Sequence, residues 1–450
     1  MSEPIAPNWH KLVAVERYFV RSQSSDGSPV FSAEADFDGV LDADVLKRAV
    51  ECVLPLHPLL SSRVEHEQAG LVWKSIQTAD VLQHTVVDTL ETPSPGCSFL
   101  EPPVAISIRS QAGLAVRLFT SANGRSRLRF EYHHACTDGQ GGARFYRDVT
   151  MTYAAMKSGE TKETIVDQIA LSRRGHFETP SGETPIGIGE GLRNLWVTIK
   201  GRNHRIQPIR QPSNLAPSDS GQKDLVAQFI LDSEQARSIH GFLVRSKHVM
   251  NDVMTAAGFL MLNQCSSSQP SGEYLNILNP VDLRTWADRR SPASNRVGFA
   301  YIRRRSSDWA TPGQLLESVA EQLRYVRQRG AAAELMRGVE LVEKIPFAVN
   351  RIERSGRFTP TVTLTCLSNL QLGRRHGVKL ESGQWMLAGA KIDRVACIAP
   401  LPPGVPLAIT VTGANGQITI TMRGRGGHFD ADRLKSFGEG FFQSCNDICQ

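Results

Sequence analysis

Leu128-Arg129-Phe130-Glu131-Tyr132-His133-His134-Ala135-Cys136-Thr137-Asp138-Gly139 is the stretch on which the reading of this chain turns. Its first part alternates apolar and polar residues, the period of a strand with one buried face. By that parity Leu128, Phe130 and Tyr132 share a face, His134 continues it, and His133 points the other way. The end of a strand running into a loop is a common place for a scaffold to present reactive groups. An imidazole facing apolar surroundings is kept neutral and able to accept a proton, so His134 reads as a general base.

Outward from this stretch the pattern is α+β. Leu114, Val116 and Leu118 mark a preceding strand, with Asn123-Gly124 as the tight turn between the two. A glycine-rich loop and a helix follow, with Phe145, Val149, Tyr153 and Met156 on one face. Upstream, Phe31 to Phe37 alternates as a strand. Asp42 then caps a helix striped by Val45, Leu46, Ala49, Val50 and Val53. The second part of the chain restarts with a strand at Leu225 to Leu231, a helix after Asp232 and another over Asn251 to Asn263. Tyr274 to Asn279 is a strand, and Thr311-Pro312 opens a helix with Leu316, Val319, Leu323 and Val326 inward. Thr361 to Leu367 and Leu407 to Thr412 are further strands.

The hairpin repeats. Strand, Asn415-Gly416, strand mirrors strand, Asn123-Gly124, strand, and nine residues after each turn glycine come His133 and Arg425, so that His134 falls opposite Gly426. Two related halves are expected, of which the first kept its histidines. A chain of 450 residues also exceeds what one core usually serves. We therefore divide it into residues 1–172, a proline-rich and basic linker over 173–222 with a short helix near Leu192 to Ile199, and residues 223–450. Gly187-Ile188-Gly189-Glu190-Gly191 in that linker follows no strand, which argues against a dinucleotide fingerprint.

Composition sets the class. Hydrophobic residues at 41% and charged residues at 21% are those of an ordinary globular protein. The net charge of +6 favours anionic partners, such as phosphorylated cofactors or an acidic carrier protein, but is too scattered to argue for nucleic acid. The start Met1-Ser2-Glu3-Pro4 carries no secretory pattern, and the longest apolar run, Val253 to Leu262, is about half of a bilayer span. A cytoplasmic protein with no integral membrane segment is expected. The eight cysteines form no CxxC pair and read as reduced structural thiols, and no ligand cluster calls for a metal.

The sequence around the histidines resembles the HHxxxDG motif of the superfamily that includes chloramphenicol acetyltransferase, nonribosomal-peptide condensation domains, wax ester synthases and polyketide-associated acyltransferases. Other landmarks agree in order: Phe37-Asp38-Gly39 through Leu56-His57-Pro58-Leu59-Leu60 to Arg63, Met250-Asn251-Asp252-Val253, Asn279-Pro280-Val281-Asp282-Leu283-Arg284 with Asn295-Arg296-Val297-Gly298, and Leu367-Ser368-Asn369-Leu370. Together they touch residues 10 to 445.

The resemblance implies two similar chloramphenicol-acetyltransferase-like halves forming a pseudo-dimer, with a tunnel between them and the motif histidine midway. It implies an acyltransferase that moves an acyl group from a coenzyme A or carrier-protein thioester to the hydroxyl or amine of a small-molecule acceptor, with no tightly bound cofactor. His134 is then the base, His133 an orienting residue, and Asp138 a structural carboxylate with Arg284 as its ion-pair candidate. Gly139 lets the backbone turn behind the motif, and Ser368 or Asn369 donates to the oxyanion.

Amide-bond condensation on carrier-bound substrates, and a non-catalytic binding protein that keeps the fold, are the alternatives. The intact histidines argue against the second. Cys136 reads as a small buried thiol, since sequence neighbours are rarely oriented as nucleophile and base, and Arg303-Arg304-Arg305 reads as a solvated strand end. The aspartate-phenylalanine-glycine-tryptophan-glycine motif of plant acyltransferases is not present in the sequence.

Overall fold

Side-chain caps fix where the helices of this protein begin. In the computed structural model Asp42, Asp138, Asp232, Thr311 and Asp430 each accept a hydrogen bond from a backbone N–H two or three residues on, satisfying donors that the first helical turn leaves free. The structure describes residues 9–23, 27–68, 70–76, 81–160, 164–175, 206–209, 223–265, 273–343, 345, 359–367, 378–381, 383–414 and 416–450. The capped helices are α2 (Ala43–Val53), α3 (Gly139–Ser158), α4 (Ser233–Ser246), α6 (Pro312–Gln328) and α8 (Ala431–Cys449). Beside them stand α1 (Ala14–Ser22), α5 (Met250–Cys265) and α7 (Ala331–Glu343).

Two seven-stranded sheets carry the architecture. The first runs, in spatial order, β13 (Val378–Glu381), β14 (Gln384–Leu387), β15 (Ala390–Ile398), β2 (Val30–Asp38), β8 (Arg125–His133), β7 (Leu114–Ser121) and β5 (Leu82–Val87). The second runs β11 (Val297–Arg304), β10 (Leu275–Asp282), β12 (Val362–Leu367), β16 (Leu407–Ala414), β17 (Gln417–Gly424), β9 (Leu225–Ile230) and β6 (Gly96–Leu100). A small sheet pairs β1 (Trp9–Lys11), β4 (Gly70–Ser75) and β3 (Ser62–Glu67). One core gathers the predicted stripe of α2, Phe145, Val149 and Tyr153 of α3, and the apolar face of β8. The other packs Met254 and Phe259 of α5 and Phe441 of α8 on Ile277, Leu364, Ile409 and Ile420.

The internal repeat is present in the backbone. Gly124 and Gly416 hold φ of +78° and +76°, a left-handed conformation that glycine adopts without steric cost. Fourteen residues after each, Asp138 (φ −95°, ψ −179°) and Asp430 (φ −97°, ψ 178°) cap α3 and α8 in matching geometry. Strand, turn, strand, cap and helix are thus built twice.

The two sheets are interwoven. β15 lies beside β2, carrying β13 to β15 from the second half into the first sheet, while β6 crosses to pair with β9. The crossover is tied by buried charge: the Arg394 guanidinium donates to Asp36 and Glu34 at 2.7 Å each, and to Gln228 on the second sheet. Arg129 donates to Glu34 from the neighbouring strand at 2.7 Å. The sequence division at residues 172 and 223 therefore marks a break in chain pattern, whereas each sheet draws strands from both sides of it.

Between residues 173 and 222 only 173–175 and 206–209 are described. Ile206 bridges to Tyr274, so the chain has reached the second sheet by that point. The helix expected near Leu192 to Ile199 and the Gly187–Gly191 run lie outside the described residues.

Candidate active site

Strand β8 ends at His133, and the next residue turns its ring into the first core. The His134 ring stacks on Phe19 of α1 at 3.9 Å between centroids and 19° between planes, and leans on Phe31 of β2 at 5.1 Å. Phe31 in turn stacks on Tyr132, the residue that parity placed on the same face. The backbone N–H of His134 donates to the Pro29 carbonyl at 2.8 Å. Nδ1 is buried without a hydrogen-bond partner, while the residue as a whole is half-buried. That leaves Nε2 as the ring nitrogen available to an incoming group. Burial lowers the pKa of His134, opposed by the charge of Asp138, by the residue's own backbone and by the Asn295 side chain. A neutral imidazole with one accessible nitrogen is the form that accepts protons.

His133 does something else. It is fully buried, its Nδ1 accepts from the Ala135 N–H at 3.1 Å, and burial with His134 beside it lowers its pKa to about 3. It therefore stays neutral and closes the turn that aims His134.

The Asp138 carboxylate bonds to groups other than His134. It accepts from Arg284 at 2.8 and 3.0 Å, from the Gly141 N–H at 2.8 Å and from the Arg296 N–H at 2.7 Å. Burial acts to raise its pKa, but the Arg284 charge and these bonds outweigh burial and hold it below the usual carboxylate value. A paired, four-bonded carboxylate binds the start of α3 to the loop after β10.

Asn295 was not singled out as a site residue, although it lies within one of the quoted landmarks. Its Nδ2 donates to the carbonyls of His134 and Ala135 at 2.7 and 2.8 Å, fixing the motif loop from the second half of the chain. Phe19 was missed altogether, because nothing local marks a residue 115 positions away as a stacking partner. His57 joins the same scaffold: Nδ1 accepts from the Ala293 N–H at 2.9 Å, and Nε2 faces Asp148 of α3 at 3.3 Å.

One expectation needs correction. Gly139 begins α3 and does not serve as a loop glycine. A side-chain carbon there would meet Leu367 at 3.7 Å, an ordinary contact. Gly141 is the glycine that the packing requires, since a Cβ would lie 2.2 Å from Thr137 Oγ1 and 2.8 Å from the Ser294 carbonyl oxygen. Cys136 is fully buried, with its thiol pKa pushed well up by burial. Leu367, at the end of β12, lies beside the start of α3, and Ser368 and Asn369 lie outside the described residues.

No family model matches the sequence. Two curated proteins of Mycobacterium tuberculosis, uncharacterized protein Rv2305 of strain H37Rv and uncharacterized protein MT2362 of strain CDC 1551, are each 23% identical, covering 95% of this chain and 96% of theirs. Among solved structures, the first condensation domain of the calcium-dependent antibiotic synthetase, in complex with a substrate analogue, superposes with a TM-score of 0.71 at 16% identity over 98% of this chain and 96% of its own. The fold is that of a condensation domain. Polyketide synthase associated protein 5 from Mycobacterium tuberculosis shares it, with a TM-score of 0.65, 18% identity and 98% of both chains covered. So does a variant of the starter condensation domain of rhizomide synthetase RzmA in complex with C8-CoA, at 0.65 and 16% over 98% of this chain and 95% of that one. The condensation-domain fold has two chloramphenicol-acetyltransferase-like halves, and the repeated hairpin, cap and helix are their trace in this chain. No described helix is long and apolar enough to cross a membrane.

Proposed function

We propose that the protein is an acyltransferase using His134 as its general base. The observation that carries this reading is the His134 ring itself: buried at Nδ1, stacked on Phe19 and kept neutral, at the junction of the two halves. Nε2 takes the proton of an acceptor hydroxyl or amine as its oxygen or nitrogen bonds to the thioester carbonyl carbon. The tetrahedral intermediate then expels sulfur, which takes the proton back from the imidazolium and leaves as a thiol with an ester or amide as product. Such base catalysis supplies ~10²–10⁴-fold. A donor to the oxyanion is worth roughly 3 kcal/mol, and Ser368 or Asn369 is the residue we assign to that role.

The complex of a related fold with C8-CoA supports an acyl-CoA donor. Thiol release from a panel of acyl-CoAs with alcohols and amines tests the reading. Turnover should fall at least ~100-fold in His134→Ala. Equal turnover by both proteins of a substrate that the enzyme demonstrably uses would end the assignment. The likeness to condensation domains favours one further form of the reaction, with the donor on a carrier protein, and supplying the acyl group on a carrier distinguishes the two.

A further inference from the structure

The residue that faces the imidazole most closely belongs to a helix with no part in the HHxxxDG motif. Phe19 is itself buried, and its ring covers one face of His134 in near-parallel contact. The helix that carries it is anchored on both sides. Toward the first half, the buried Glu16 carboxylate accepts from Trp73 Nε1 and Arg174 Nε at 2.9 Å and from the Val13 N–H at 3.0 Å. Toward the second half, Arg17 and Arg21 both donate to Glu343 at the end of α7, at 2.9 and 2.8 Å.

We propose that Phe19 is the positioning residue for His134, and that the link from Arg17 and Arg21 to Glu343 sets its place from the second half of the chain. The inference deepens the acyl-transfer reading and rests on it for its kinetic consequence, but the stacking can be tested without any substrate. A flat ring against one face fixes the imidazole torsion and excludes water from that face, so that burial favours the neutral ring. The charged group that acts on the ring is Asp138, balanced by Arg284, and the Glu16 charge on α1 is balanced by Arg174. His133, the next imidazole, is neutral.

The test follows the His134 imidazole by NMR in histidine-labelled protein, assigned with His134→Ala, across pH in wild type, Phe19→Leu, Phe19→Tyr and Glu343→Gln. Phe19→Leu should titrate closer to an ordinary histidine as water reaches the exposed face. Phe19→Tyr, which keeps the ring, should titrate as wild type. Glu343→Gln should shift in the same direction as Phe19→Leu by less, and provides the answer if Phe19→Leu fails to fold. With a working substrate, Phe19→Leu should lower kcat roughly 2- to 10-fold, move the acid limb of the pH profile upward, and leave KM within about 2-fold. An unchanged His134 titration in both Phe19→Leu and Glu343→Gln overturns the proposal. If the titration moves while His134→Ala loses no turnover, the stacking stands and the acyl-transfer reading fails.

Discussion

Asp138 and Arg284 meet in a two-bond fork of 2.8 and 3.0 Å although 146 residues separate them. The remaining capacity of the carboxylate is taken by the N–H groups of Gly141 and Arg296, so no lone pair is directed at the ring of His134. The motif aspartate thus acts through geometry, and through a charge that opposes the lowering of the His134 pKa by burial. It caps the helix behind the histidine and joins that helix to the loop that also supplies Asn295.

Breaking this pair should damage folding and activity together. Removing one partner of a buried ion pair costs up to ~3–5 kcal/mol, and the bridge that Arg284 keeps to the half-exposed Asp282 at 2.9 Å puts this pair at the lower end. Asp138→Ala also removes the cap, worth ~1 kcal/mol. We expect the urea midpoint of Asp138→Ala to drop accordingly, while Asp138→Asn retains more of the cap. A wild-type midpoint in Asp138→Ala would contradict the structural role.

The glycines beside the motif should respond differently to the same substitution. Gly141→Ala forces a methyl group against Thr137 Oγ1 and the Ser294 backbone, and overpacking of this kind costs ~1–3 kcal/mol. Gly139→Ala meets only Leu367 at contact distance and should stay within about 1 kcal/mol of wild type. Thermal unfolding of the two variants side by side decides the matter, and equal losses would refute the packing argument.

Arg394 holds the crossing strand. Arg394→Ala takes one of two guanidinium partners from each of Glu34 and Asp36, which keep Arg129 and Arg127, and should cost ~1–3 kcal/mol. Lys391→Ala, three residues away on the same strand in a partly exposed pair with Asp393, should cost ~0–1 kcal/mol. Denaturant titration of both tests whether the buried guanidinium is the tie; a small loss for Arg394→Ala would count against it.

Acid should weaken the fold in two overlapping stages. His133 has its pKa lowered from 6.5 to about 3, so below 6.5 the unfolded chain binds a proton that the folded chain refuses. This stability is complete above 6.5 and erodes as pH falls toward 3. Glu34 is buried, which acts to raise its pKa, yet Arg129, Arg394 and Arg127 outweigh burial and lower it from 4.5 to about 2. Its contribution is complete above 4.5 and is lost as pH falls through about 2. Denaturant midpoints measured at intervals from pH 8 to pH 3 should decline from about pH 6.5 downward, and His133→Asn should flatten the upper part of that decline.

What was legible in the sequence is what short-range physics controls. The alternation of β8, the Asn-Gly turn, the Asp42 and Thr311 caps and the stripe of α2 each depend on residues within one or two turns of each other, and the structure places them as expected. The start of α3 is not legible locally because three of its first four residues, Gly139, Gly141 and Gly142, are glycines and read as a loop, whereas the Asp138 cap and tertiary packing make them helical. Residues 378–398 gave no sign of which sheet they would join, since strand pairing is chosen by topology and not by local propensity.

The amino-acid order alone therefore determined the strand, turn and helix that bring His134 to a loop, along with the duplicated plan of the chain. Only the tertiary structure decided what surrounds that imidazole, with Phe19 on its face and Asn295 on its backbone, and what ties the sheets together, with Arg394 reaching Asp36 across 358 residues. Periodicity records contacts between near neighbours, whereas these partners become adjacent only when two sheets exchange strands and close around a common site.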